Sequence, residues 1–330
     1  MGVPLGHIAV TGASGFVGAN VVLHLASQGR EVLACDLEPP PAPLAAAPRN
    51  LPGAVRWIAM DVTTADGWAV LDTEPLDAII HAAAVTPGGF DTAPGRTIRV
   101  NLCGTIKALE YARRRMLRRL VSLSSSGVYG PIRSRRALLE SRRVSPTTSY
   151  GLAKLSAESF VSLYRRAYGL DACSVRLAAP YGPWERPTSV RTRMSMIFRL
   201  AVAAVRGESL RVAGAGVARD WTYAADVAAG LAHLATVEAL PSDLFNLSTG
   251  IRVTLGEVVR MVRQVVPESR IEIVRRGKVD LALTREDERA ALDVSRLRSA
   301  GFRAMTPLEE GLRHYVGWLR GLGAFVLDGK

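Results

Sequence analysis

A chain of 330 residues, 48% apolar and 22% charged, has the balance of a globular protein with one large or two moderate domains and ample core. Its net charge of +12 is scattered, and the short runs RRRMLRR (113–119) and RSRR (133–136) carry no interleaved aromatics, so no nucleic-acid platform is predicted. No uncharged apolar stretch of about 20 residues, no basic-then-apolar leader and no Cys/His cluster occurs, which argues against a membrane span, a signal peptide and a metal site. Cys35, Cys103 and Cys173 read as reduced core thiols of a cytoplasmic protein.

Short apolar runs and helical spacings alternate through the first half. HIAVTG (7–12), EVLACD (31–36), VRWIAMD (55–61), DAIIHAA (77–83), LVSLSS (120–125) and ACSVRLA (172–178) read as buried strands. Helices are predicted at 15–28, about 65–72, 91–115 and 149–168, and the Pro/Ala-rich 38–53 as a surface loop. This alternation predicts an α/β fold, a doubly wound parallel sheet covered on both faces. Beyond residue 179 the rhythm changes. A Pro/Arg-rich loop leads to a helix at 194–206, a strand at LRVAG, a helix near 224–237 and a strand at 244–248. We expect a Rossmann domain over 1–178 with a returning segment at about 219–250. A smaller α/β substrate domain then comprises 179–218 and 251–330.

The stretch VTGASGFVG (10–18) places Gly12, Gly15 and Gly18 between the first strand and the first helix. Gly12 suits the tight turn, Gly15 the approach of a pyrophosphate, and Gly18 close helix–sheet packing. Asp36 ends the second strand, 18 residues after Gly18 by numbering, where a carboxylate accepts bonds from an adenosine ribose. A 2′-phosphate would be repelled there, and ACDLEPP offers no nearby arginine, so NAD is expected over NADP.

Tyr150 and Lys154 stand at i and i+4 of a predicted helix and share one face. Lys154 is one of only four lysines in an arginine-rich chain. A compact ammonium stabilises a phenolate, and lowering a tyrosine pKa by roughly three units takes about 4 kcal/mol. The serines of SSSGVYG (124–130) end the fifth strand, on the sheet edge where ligands bind.

Together these pieces resemble the extended short-chain dehydrogenase/reductase family, over nearly the whole chain. The matching residues are TGASGFVG (11–18), Asp36, Asp61–Val62, HAAA (81–84), Asn101 in VNLCGT, SSSGVYG, YGLAK (150–154), YGP (181–183) and RDWTYAADVA (219–228). The resemblance implies an NAD-dependent enzyme acting on sugars, usually nucleotide-linked. It implies that Ser125, Tyr150 and Lys154 are catalytic. Gly12, Gly15, Phe16, Val17, Gly18 and Asp36 would hold the dinucleotide, with Asp61 and Val62 by the adenine. Ala82 and Ala83 would line the cleft, and Asn101 would brace it near the nicotinamide. Thr86, Ser125, Ser126, Tyr150, Arg191 and Arg219 fall on the substrate side. The resemblance also implies a homodimer, because in the family the equivalents of the helices near 91–115 and 149–168, which have apolar faces here, pair across a dimer.

Departures from the family narrow the reaction. The dehydratases carry Asp-Glu after the catalytic residue, and decarboxylating members carry Glu at the second position; here Ser126-Gly127 stands there. The His of the GDP-sugar epimerase/reductases, two residues before the tyrosine of YGP, is Ala179. Simple hydride chemistry remains, most consistent with a nucleotide-sugar 4-epimerase. A net dehydrogenase of a sugar, sugar acid or polyol is the rival, because many nucleotide-sugar members have Asn where Ala179 stands. The third alternative is a non-catalytic NAD- or RNA-binding protein. Arg186, Arg191 and Arg193 approach the substrate side in sequence, and REDERAALDVSRL resembles the family's segment with a second phosphate arginine, which would be Arg285 or Arg289.

Overall fold

The computed structural model describes residues 6–86, 91–132, 134, 136–303, 305–321 and 324–327, so Arg133 and Arg135 of the second basic run lie outside the described residues. The first half runs β1 (His7–Thr11), α1 (Phe16–Ser27), β2 (Val32–Asp36), α2 (Ala42–Ala46), β3 (Val55–Ala59), α3 (Ala65–Ala69), β4 (Leu76–His81), α4 (Pro94–Ile98), α5 (Gly104–Arg114), β5 (Arg119–Ser125), α6 (Ser149–Tyr168) and β6 (Ala172–Leu177). The second half runs β7 (Ala179–Tyr181), α7 (Met196–Arg206), β8 (Ser209–Ala213), β9 (Ala218–Tyr223), α8 (Ala224–Thr236), β10 (Leu244–Leu247), β11 (Arg252–Thr254) and α9 (Leu255–Val265). It closes with β12 (Arg270–Ile273), β13 (Leu281–Ala282), α10 (Ser295–Ser299), α11 (Leu308–Arg320) and α12 (Ala324–Leu327).

Among the described residues, seven strands form one parallel sheet in the order β10-β6-β5-β4-β1-β2-β3. Nearly every residue of β5 and β6 is buried, as strands covered on both faces must be. The chain leaves β1 toward β2 on one side and returns through β4 on the other. This reversal opens a crevice at the carboxyl ends of β1 and β4, the place where open α/β sheets bind ligands. The predicted doubly wound Rossmann sheet is therefore present, with α1 and α8 packed together on one face.

Three expectations need correction. Segment 38–53 is not only loop. Pro41 caps α2 and Pro43 lies in its first turn, and Leu44 is fully buried in a cluster with Ala19 and Trp184. The helix expected over 91–115 is interrupted by a π-type turn, Arg99–Cys103. That turn buries Asn101, whose amide donates to Val85 O and accepts from Val85 N, both at 2.9 Å. It also leaves Cys103 exposed, so only Cys35 and Cys173 are core thiols.

A second apolar cluster lies beyond β7, built from Ile197 and Leu200 of α7, Val212 of β8, Val258 and Val259 of α9 and Leu312 of α11. Trp221 and Tyr223 of β9 join it, whereas Val227, Leu231 and Leu234 of α8 return to the core of the large sheet. Asn246 of β10 ties distant segments together. It accepts from Tyr129 Oη at 2.9 Å and donates to Leu138 O at 2.8 Å and Asp293 O at 3.0 Å, and its own N–H reaches Glu140 at 2.8 Å. Asn246→Ala removes three side-chain hydrogen bonds from a buried place, although Tyr129 Oη keeps Leu139 O and Leu138 O keeps the Asp293 N–H. It is expected to lower stability by about 3 kcal/mol, read as a shift of the urea midpoint with unchanged slope.

Candidate active site

Helix α6 presents the Tyr/Lys pair. The Thr148 hydroxyl accepts the Gly151 N–H at 3.0 Å and caps its start, and Gly169 at φ 67° ends it. Tyr150 lies in the first turn, Lys154 one turn on and Glu158 a turn further. Lys154 is 2% exposed and donates from Nζ to Leu123 O at 2.8 Å, which fixes it against the end of β5. Its Nζ is 6.0 Å from the Tyr150 ring centroid. Burial pulls the Lys154 pKa down to about 8, and the nearby Glu158 carboxylate opposes that fall. Glu158 accepts from Ser124 Oγ at 2.5 Å and from two guanidinium nitrogens of Arg176, at 2.9 and 2.7 Å.

Ser125 is the last residue of β5, and its hydroxyl accepts the Gly127 N–H at 3.1 Å. Ser126 begins the following 3-10 turn, Ser126–Tyr129. Tyr150 is half-buried, and burial raises its pKa above the ordinary tyrosine value. The Ser125 hydroxyl and the charge of Arg191 pull the other way. The expected lowering of this phenol by Lys154 is thus not what the protein alone produces, because desolvation is the larger influence.

The glycine turn lies where the reading put it. Gly12 has φ 67°, and a Cβ there would stand 2.7 Å from the Ala83 backbone. A Cβ on Gly18 would come within 2.0 Å of Gly12 O, so helix and turn pack too closely for any side chain. Gly15 precedes α1, where a Cβ would stand 3.1 Å from Gly12 O, and forms a cradle at a helix N-terminus that carries no acidic residue in its first turn. A cleft of about 780 Å³ runs from there past Gly12, Phe16, Val17, Asp36, Asp61, Val62, Ala82, Ala83 and Leu123 to Tyr150 and Lys154. Asp36 is held by the N–H groups of Ser14 at 2.9 Å and Glu38 at 3.2 Å. Its carboxyl is raised by burial and still faces the cleft. Shape, anion cradle and strand-end carboxylate fit a dinucleotide.

Asn101 braces Val85, which lines the cleft, and does not itself border it. Two placements differ from expectation. Arg191 lines the cofactor cleft rather than the outer pocket. An arginine does approach the end of β2: Arg186, far away in sequence, feels the carboxylates of Asp36 and Glu38.

A second cavity, of about 690 Å³, opens on the other side of Tyr150. Thr86, Ser125, Tyr150 and Ala178 line both cavities and mark where they meet. The outer wall carries Arg193, Arg219 and Arg289, with Ser126 near the junction; Arg285 is exposed and outside the lining. Arg219 is steadied by Asp287, donating to its backbone O at 2.8 Å and its carboxylate at 3.0 Å. The Asp287 and Glu158 partners had no local signature, although Glu158 repeats the four-residue step of Tyr150 and Lys154.

His81 is a structural residue. It is buried, shares a 2.8 Å hydrogen bond with Thr11 Oγ1, and its pKa is pushed down to about 3 by burial and by Lys154. Its ring resonances are expected to show no titration between about pH 5 and 8. For Lys154 the folded pKa of about 8 lies below the ordinary 10.5. Between those values the unfolded chain binds the extra proton, so stability without cofactor rises with pH through that window. Lys154→Met is expected to remove that rise, measured by denaturant midpoints across the window.

Comparison with known proteins agrees with this geometry. The sequence model of the "NAD dependent epimerase/dehydratase family" matches residues 8–248. A UDP-glucuronate 4-epimerase of Thermodesulfobacterium geofontis is 26% identical over 341 residues, covering 95% of this chain and 96% of its own. A dTDP-glucose 4,6-dehydratase of Streptomyces antibioticus is 27% identical over 334 residues, covering 95% and 92%. Among solved structures, MoeE5 in complex with UDP-glucuronic acid and NAD is 30% identical with a TM-score of 0.76, covering 96% of this chain and 99% of that one. With its dinucleotide cleft, its Ser/Tyr/Lys convergence and this match, the chain belongs to the NAD-dependent epimerase/dehydratase family of enzymes, and NAD is its cofactor.

Proposed function

We propose that this enzyme is a nucleotide-sugar 4-epimerase of the UDP-sugar type. The observation that carries the reading is the junction of two cavities at Thr86, Ser125 and Tyr150, with Lys154 on the cofactor side and Arg193, Arg219 and Arg289 on the far wall of the other. A sugar at the junction with its diphosphate toward the arginines satisfies both ends, since guanidinium groups suit phosphate oxygens. The relatives that act on or bind UDP-sugars support that choice. Thr86, Ser126 and Arg219 are read as substrate contacts.

In this reading Ser125 donates to the reacting sugar oxygen and holds it near Tyr150. Tyr150 takes the proton from that hydroxyl and later gives it back. Lys154, pinned by Leu123 O, supplies positive charge beside the phenol and donors to the ribose hydroxyls of the cofactor. Bound NAD supplies the hydride acceptor for the carbinol carbon. Ser126 and Gly127, which follow Ser125, bring no carboxylate for removing water, which favours epimerisation over dehydration.

The reading extends to organisation. Residues 1–178 with about 219–250 serve as the cofactor domain, and 179–218 with 251–330 as the substrate domain. Exposed Ile98 on α4 and Leu152 and Leu163 on α6 support pairing into a homodimer. Buried free Cys35 and Cys173 suit the cytoplasm.

Incubation with UDP-glucose, UDP-galactose and UDP-glucuronate is expected to yield a 4-epimer, resolved chromatographically, with no accumulation of NADH. Build-up of NADH with an oxidised sugar sinks the epimerase reading and favours the dehydrogenase. Tyr150→Phe is expected to lower kcat about 100- to 10,000-fold while NAD affinity is retained. Full activity in that variant removes the proposed chemistry.

A further inference from the structure

The segment from Pro183 to Arg193 crosses the mouth of the cofactor cleft and is fastened on both sides. Asn20 of α1 donates to Pro183 O at 2.9 Å, and Ser189 Oγ donates to Glu38 at 2.7 Å beyond the end of β2. On the far side the Thr86 N–H donates to Val190 O at 3.0 Å, beyond β4. Between these anchors the Arg191 guanidinium carbon stands 5.2 Å from the ring centroid of Phe16, the first residue of α1.

Its orientation is set from behind. Glu185, fully buried, accepts Arg191 Nη2 at 2.5 Å, and the same carboxylate is held by Ser195 N at 2.6 Å and Ser195 Oγ at 2.7 Å. Arg191 lines the cleft, and among the described residues its Nε–H is buried without a hydrogen-bond partner. A buried, unpaired guanidinium donor is costly, and a small adjustment toward an acceptor in the cleft would relieve that cost. The glycine turn, TGASGFVG, contains no cation of its own. Arg96 and Arg99 also border the cleft, but both are exposed, and among the described residues neither is held by such a carboxylate.

We propose that Arg191 is the cofactor's pyrophosphate clamp, presented by the 183–193 segment opposite the N-terminus of α1 and aimed by Glu185. The two sides then supply complementary donors: backbone N–H groups from the helix start and a guanidinium edge from across the cleft. The assignment concerns the cofactor and stands whichever sugar the enzyme turns over.

The test uses the full-length enzyme stripped of cofactor and isothermal titration with NAD, ADP-ribose and UDP. Arg191→Met is expected to weaken both NAD and ADP-ribose by about ten- to a hundredfold and to leave UDP unchanged. Arg191→Lys, which keeps the charge but not the planar edge, is expected to recover part of the loss, and circular dichroism of both variants checks that they are folded. Unchanged NAD affinity in Arg191→Met overturns the proposal. So does a loss confined to UDP, which returns Arg191 to the substrate, or an equal loss for all three ligands, which marks a general disturbance of the fold.

Discussion

An ammonium group buried to 2% exposure is the constraint around which this site is arranged. Removing such a charge from water is costly, and the protein offsets that cost with the Leu123 carbonyl and the field of Glu158. Glu158 would itself be an unpaired buried anion without Arg176 and Ser124. Arg176 in turn donates to Glu140 O at 3.2 Å and packs over the Tyr129 ring, with its guanidinium carbon 4.6 Å from the centroid. Behind the lysine therefore stands a chain of compensated charges, carried on α6, β5 and β6, the elements that also present Tyr150 and Ser125. Stability and chemistry share one set of contacts, so the reacting groups inherit the rigidity of the sheet.

The parts legible in the sequence were those with short-range rules. Glycine spacing, the strand-end Asp36 and the four-residue step from Tyr150 to Lys154 are local patterns whose geometry follows from turn and helix dimensions. The alternation of buried strands with helices was readable for the same reason. The helix expected across 91–115 was not, because the π-type turn answers to a distant need: the side chain of Asn101 must reach Val85. Nor was α2, whose single buried Leu44 has meaning only beside Trp184, 140 positions later by numbering.

Charge placement was the least legible layer. Arginine runs and isolated carboxylates carry no mark of which partner they find across the fold. Arg191 and Glu185 are only six residues apart, yet their joint position over Phe16 depends on where the segment crosses the cleft. Arg186 reaches the neighbourhood of Asp36 by the same route. Arg289 rather than Arg285 borders the outer cavity because the turn that holds Asp287 points one inward and leaves the other exposed. These are tertiary outcomes.

The crossing segment also bears on time as well as affinity. Its contacts of Ser189 with Glu38 and of Val190 with Thr86 hold it over the cleft. A ligand lodged beneath it would owe its residence in part to local opening of the polypeptide, a process with its own barrier, and not solely to how well each atom is gripped. A nucleotide retained through many catalytic cycles behaves as a prosthetic part of the protein, renewed on the schedule of its container.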